Sequence, residues 1–81
     1  MQIKQPFRIR KDLDGYIVFF RGDAPLEMTE ISAFVTGLLH EPKTMYELVE
    51  ATSGKFPEAD AKVEVDYTVQ TLNDAGVLEK Q

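Results

Sequence analysis

The 81-residue chain has no cysteine, no tryptophan, one histidine, and no apolar run longer than Tyr16-Ile17-Val18-Phe19-Phe20. Each absence removes a class of protein. Without cysteine there is no disulfide framework, no thiolate metal site and no thiol nucleophile, although the redox compartment stays open. The apolar run is far short of the ~20 residues that cross a bilayer, and Met1-Gln2-Ile3-Lys4-Gln5 leads into no secretory apolar core. The expectation is a cytoplasmic protein with no membrane partner.

Catalytic constellations are equally sparse. His40 stands beside Pro42 at an expected helix end, with no cysteine or second histidine to build a site, so it reads as a capping or surface residue. Asp12, Asp14 and Asp23 lack the D-x-[DN]-x-[DN]-G spacing of a calcium loop and read as turn formers. Ser32 and Ser53 have no base in a recognisable motif, and no glycine-rich phosphate cradle is present. The chain is expected to be no enzyme and to carry no metal and no cofactor.

What is present is an ordinary globular composition, 43% hydrophobic and 28% charged, outside the disordered range. Residues 1–81 have room for one domain, which buries only ~60% of its extended surface. Charge is unevenly spread. Residues 1–21 hold five bases against two acids, a net +3, whereas residues 22–81 hold four bases against twelve acids, a net −8. An acidic chain is a poor match for a polyanion.

Phe7 to Leu13 alternates Phe7, Ile9, Lys11 against Arg8, Arg10, Asp12, the period of a strand with one apolar face. Asp14-Gly15 signals a tight primed hairpin turn. Tyr16 to Arg21 is the returning strand, apolar on both faces and therefore expected in the middle of the sheet, covered on more than one side. Gly22-Asp23 turns the chain into a third strand, about Ala24 to Met28, left at an edge. Thr29 then caps a helix whose stripe is Ile31, Phe34, Val35, Leu38 and Leu39. Gly37 within it costs roughly 1 kcal/mol relative to alanine, which points to close packing. Thr44-Met45-Tyr46-Glu47 is a capping box for a second helix, expected to close at Ser53-Gly54. The third helix follows Pro57, with Ala61, Val65, Val69, Leu72 and Ala75 or Gly76 as its core stripe. The fold class is therefore α+β: a three-stranded antiparallel sheet followed by three helices, a winged-helix-like plan.

Two features admit a functional reading beside a bland one. Pro25 and Glu27 on the edge strand either block aggregation or border a docking edge. Val63 and Tyr67, one turn apart and off the core stripe, are either ordinary exposed groups or the wall of a groove whose floor is that edge, the geometry for adding a peptide strand.

The order of three strands and three helices, the junction Leu26-Glu27-Met28-Thr29-Glu30 and the helix end Leu72-Asn73-Asp74-Ala75-Gly76-Val77-Leu78 together resemble the PqqD-like family, over nearly the whole chain from Arg8 to Leu78. These modules, also called RiPP recognition elements, serve ribosomally made, post-translationally modified peptides. The resemblance implies a binding module that captures the leader of a precursor peptide by strand addition at its third strand, beside the third helix, and delivers it to a modifying enzyme, often a radical SAM protein. Carried onto this sequence, it implies a docking edge at Asp23, Ala24, Pro25, Leu26, Glu27, Met28 and Thr29, and a groove wall at Val63, Asp66, Tyr67 and Gln70. Asp66 and Thr68 are polar where relatives are often apolar, which points to a more polar or basic leader.

The main alternative is a winged-helix DNA-binding protein or transcriptional regulator. Such a protein needs several Lys or Arg on its recognition helix. Here the third helix region offers Lys62 alone against Glu58, Asp60, Glu64, Asp66 and Asp74. A scaffold that binds only a partner enzyme, through the positive surface of the first two strands, is a third reading.

Overall fold

The structure, a computed structural model, describes residues 1–79. In chain order it has β1 (Phe7–Asp12), β2 (Gly15–Phe20), β3 (Leu26–Met28), α1 (Glu30–Leu38), α2 (Met45–Lys55) and α3 (Ala61–Asp74). The three strands form one antiparallel sheet in the order β1-β2-β3; α1 lies against the sheet face that carries Val18, Phe20 and Met28, and α2 and α3 pack on α1 and on each other. No helix among the described residues is long and apolar enough to cross a membrane.

Local chemistry sets most boundaries. Thr29, Thr44 and Asp60 cap the three helices, accepting from the amides of Ser32, Glu47 and Val63. At Thr44 the Glu47 carboxylate returns the bond to the cap's own N–H at 2.9 Å, completing the capping box. Helix α3 closes in a Schellman motif: Gly76 takes φ +76°, its N–H reaches Asn73 O at 3.0 Å, and Val77 N–H reaches Leu72 O at 3.3 Å. Val77 thereby enters the core beside Leu72.

Four expectations are corrected. The first turn is Leu13-Asp14, with Gly15 already in the strand. Among the described residues none other than glycine has a positive φ, so a type I′ turn does not form at Leu13-Asp14. Gly15 is required for another reason: its φ is +153°, and a Cβ there would stand 2.9 Å from Met28 O. Second, β3 begins at Leu26, after Asp23, Ala24 and Pro25. The Asp23 N–H bonds Phe20 O at 3.4 Å, closing the turn on the carbonyl that Ala24 would otherwise pair with. Third, α2 runs through Ser53 and Gly54 to Lys55, and Gly54 takes no left-handed φ. Fourth, Ala75 and Gly76 are exposed past the end of α3.

The buried face of α1 is also rotated from the expected stripe. Ser32, Ala33, Val35, Thr36 and Leu39 are buried, whereas Ile31, Phe34 and Leu38 are half-buried. The helix touches β2, β3, α2 and α3, so its polar side also lies inside and its hydroxyls are bonded there. Thr36 Oγ1 donates to Ser32 O at 2.8 Å. Beyond the elements, Ile3 is only 2% exposed; its N–H bonds Leu39 O at 2.8 Å, and Gln2 bridges to Glu79. Among the described residues no helix covers the outer sheet face. There Arg8 and Arg10 lie over the Phe19 ring, with their guanidinium carbons 6.0 and 5.1 Å from its centre, so arginine stems give Ile17 and Phe19 their partial cover.

Candidate functional site

In an antiparallel sheet both backbone groups of a residue point to the same side, and successive residues alternate. The Arg21 N–H bonds Pro6 O at 3.4 Å, which places the carbonyl of Pro6, and by alternation those of Arg8, Arg10 and Asp12, toward β2. The odd residues of β2 therefore bond β1, and Tyr16 and Val18 bond their partners Met28 and Leu26 on β3. The short approach of Met28 O to Gly15 agrees with this parity. Within β3, Glu27 alone turns its N–H and C=O away from the sheet. The alternation, carried upstream, aims Pro25 the same way, and Pro25 has no N–H to offer.

A cleft of about 250 Å³ opens beside that edge. Glu27 and Met28 line it from the strand, Thr29 from the cap of α1, and Tyr67, Thr68 and Thr71 from α3; Ser32 and Asp14 complete the lining. Tyr67 is 65% exposed. At the base, Thr68 Oγ1 lies 2.8 Å from both Ser32 Oγ and Glu64 O. Its single proton serves one of them at a time, and the Ser32 hydroxyl has its own proton for the remaining bond. This pair ties α1 to α3 below the opening. Thr68 is wholly buried there, so its polarity is spent inside the protein rather than offered to a ligand. The rim is acidic through Asp14 and Glu27, and hydroxyls supply much of the rest. The surface suits basic side chains and hydrogen-bond donors.

The remaining candidate residues stand apart from the opening. Asp23, Ala24 and Pro25 precede the strand, and Asp23 accepts from Gln5 Nε2 at 3.0 Å. Leu26 is half-buried and paired with Val18. Val63, 58% exposed, continues the Tyr67 stripe one turn toward the start of α3 without lining the cleft. Asp66 is held by Lys62 at 3.0 Å and Gln70 by Asp74 at 2.8 Å, both along their own helix. Asp14, Ser32 and Thr71 line the cleft but are not among the expected binding residues, Asp14 being read as a turn former and Ser32 as a serine without a base. Thr71 has a signal in retrospect, since it follows Tyr67 by one turn, but Asp14 is brought in only by the hairpin.

Among the described residues no three His, Asp or Glu side chains converge as metal ligands. His40 Nδ1 lies 2.7 Å from Gly37 O at the end of α1, a helix-terminal contact. Comparison with family models, with curated proteins and with solved structures returns no match.

Proposed function

We propose that this chain is a non-catalytic peptide-binding module that receives an extended leader segment of a precursor peptide along β3 and α3 and presents it to a modifying enzyme, the role implied by its resemblance to the PqqD-like family. The observation that carries the reading is the open cleft between the unpaired rim of β3 and the exposed ring of Tyr67. Magnitudes decide how the peptide is held. Glu27 offers one donor and one acceptor, and at ~0.5–1.5 kcal/mol net per bond these contribute roughly 1–3 kcal/mol. A micromolar complex requires about 8 kcal/mol. Side chains seated in the cleft and against Tyr67 supply the larger part, and the acidic rim favours a leader with lysine or arginine near its docking residues.

The winged-helix alternative, DNA binding, meets an α3 whose only base, Lys62, is engaged by Asp66. The deciding experiment is an NMR titration of the labelled chain with the peptide encoded beside it, with modifying enzyme and with duplex DNA in separate arms. Shifts at Glu27, Thr29, Tyr67 and Thr71 with peptide are expected. Shifts in the DNA arm or the enzyme arm with none in the peptide arm would refute peptide capture.

A further inference from the structure

We infer a second docking edge on the opposite side of the sheet, where β1 accepts an acidic, alternating strand from a partner protein. The parity set by Arg21 and Pro6 turns the N–H and C=O of Phe7, Ile9 and Lys11 outward. Strand β1 thus offers three donors and three acceptors where β3 offers one of each, and no strand among the described residues pairs with its outer side. This edge is independent of the β3 cleft and of the function proposed for it.

The surroundings specify the occupant. On the helix side, Ile9 is 37% exposed and borders a mainly apolar trough of about 420 Å³ walled by Tyr16, Ala33, Phe34 and Leu38, with the charged Glu30 and Lys55 also in its lining. A residue of an added strand on this face meets a mainly apolar surface. On the outer side stand Arg8 and Arg10, stacked over Phe19, with Asp12 at the strand end; among the described residues neither arginine, nor Lys11 on the helix side, has a carboxylate within ion-pair distance. A residue on that face meets unneutralised guanidinium groups. The matching segment alternates Asp or Glu outward with Val, Ile or Leu inward, since opposite charges facing across a strand pair stabilise it. A second copy joined through β1 about a two-fold axis at Ile9 would set Arg8 against Arg10 of the other strand. That like-charge opposition disfavours it.

The test uses the full-length labelled chain and a capped synthetic peptide alternating Glu and Val. Two controls are a peptide of the same composition with Glu and Val in separate blocks, and an alternating Lys-Val peptide. Binding of the alternating acidic peptide is expected to shift the amides of Phe7, Ile9 and Lys11 and slow their hydrogen exchange. Arg8→Glu with Arg10→Glu, both exposed, should lower Tm slightly through the lost stacking on Phe19, leave the chain folded at the titration temperature, and weaken binding about tenfold or more. Raising salt from about 0.05 to about 0.5 M should weaken it as well, because these charges face solvent. Equal binding of the block peptide, shifts confined to β3 and α3, or concentration-dependent self-association that moves the same amides without peptide would each overturn the inference.

Discussion

Two threonine-to-valine substitutions, identical in shape change, are expected to act in opposite directions. Thr68 and Thr52 are both wholly buried on helices facing the core. Thr68 Oγ1 has Ser32 Oγ and Glu64 O at 2.8 Å, whereas Thr52 Oγ1 has no protein partner among the described residues. Valine replaces the hydroxyl with a methyl at nearly constant volume and helix propensity, so the hydrogen bonds dominate the difference. In Thr68→Val the Ser32 hydroxyl, on a residue 3% exposed, loses its partner at a cost of about 1–3 kcal/mol. At the middle of that range, about 2 kcal/mol, a domain of this size loses roughly 8–16 °C in Tm. Thr52→Val instead removes an unpaired buried oxygen and should leave Tm unchanged or raised. Ser32→Ala costs less than Thr68→Val, since Thr68 keeps Glu64 O, and the double variant should fall short of the sum by about 1 kcal/mol. Urea unfolding with the slope held constant gives the free energies. Additive effects at Ser32 and Thr68, or a loss at Thr52 equal to that at Thr68, would refute the reasoning.

Tyr67→Ala should weaken leader binding by about 1–3 kcal/mol in a calorimetric titration without moving Tm, because the ring lies over the cleft rather than in the core; unchanged affinity removes Tyr67 from the site. Gly15→Ala should destabilise by ~2 kcal/mol or more, since the residue must hold φ +153° against a carbonyl 2.9 Å from the new methyl; unaltered urea unfolding would show that β3 simply moves aside. The capping box gives a pH signature. Acceptance from the Thr44 N–H holds the Glu47 carboxyl below the usual glutamate range, so its contribution is full above the unfolded-state value and is lost as pH falls through the lower folded-state value. From about pH 6 to about pH 3 the wild-type Tm should therefore fall more steeply than that of Glu47→Gln. Parallel Tm curves for the two proteins would contradict this. Thr44→Ala should cost about 1 kcal/mol at neutral pH, read from the urea midpoint.

Features decided within one turn of chain were legible from residue order alone. Thr29 and Thr44 cap helices because each hydroxyl needs only an amide three residues ahead, whereas α3, expected straight after Pro57, starts at Ala61 with Asp60 as its cap. The strand alternation, the Schellman glycine and the sequence of six elements follow from equally local rules. The approximate place of Tyr67 did too, because 100° per residue separates it from Val65 and Leu72. Residue order was silent wherever the answer depended on what lies across a gap. Ser32 and Thr36 look like the solvent face of α1, yet the helix is surrounded by β2, β3, α2 and α3, and its polar side becomes interior. Thr68 looks like a groove residue, yet a hydroxyl from α1 meets it at depth. Which edge groups of β1 and β3 are free was set by the hairpin register through the Arg21 to Pro6 bond, a non-local choice with two parities open to the same alternation. Ile3 and Asp14 join the core and the cleft rim only because the sheet and helices, once packed, bring distant segments within a few ångströms, and no periodicity along the chain encodes that distance.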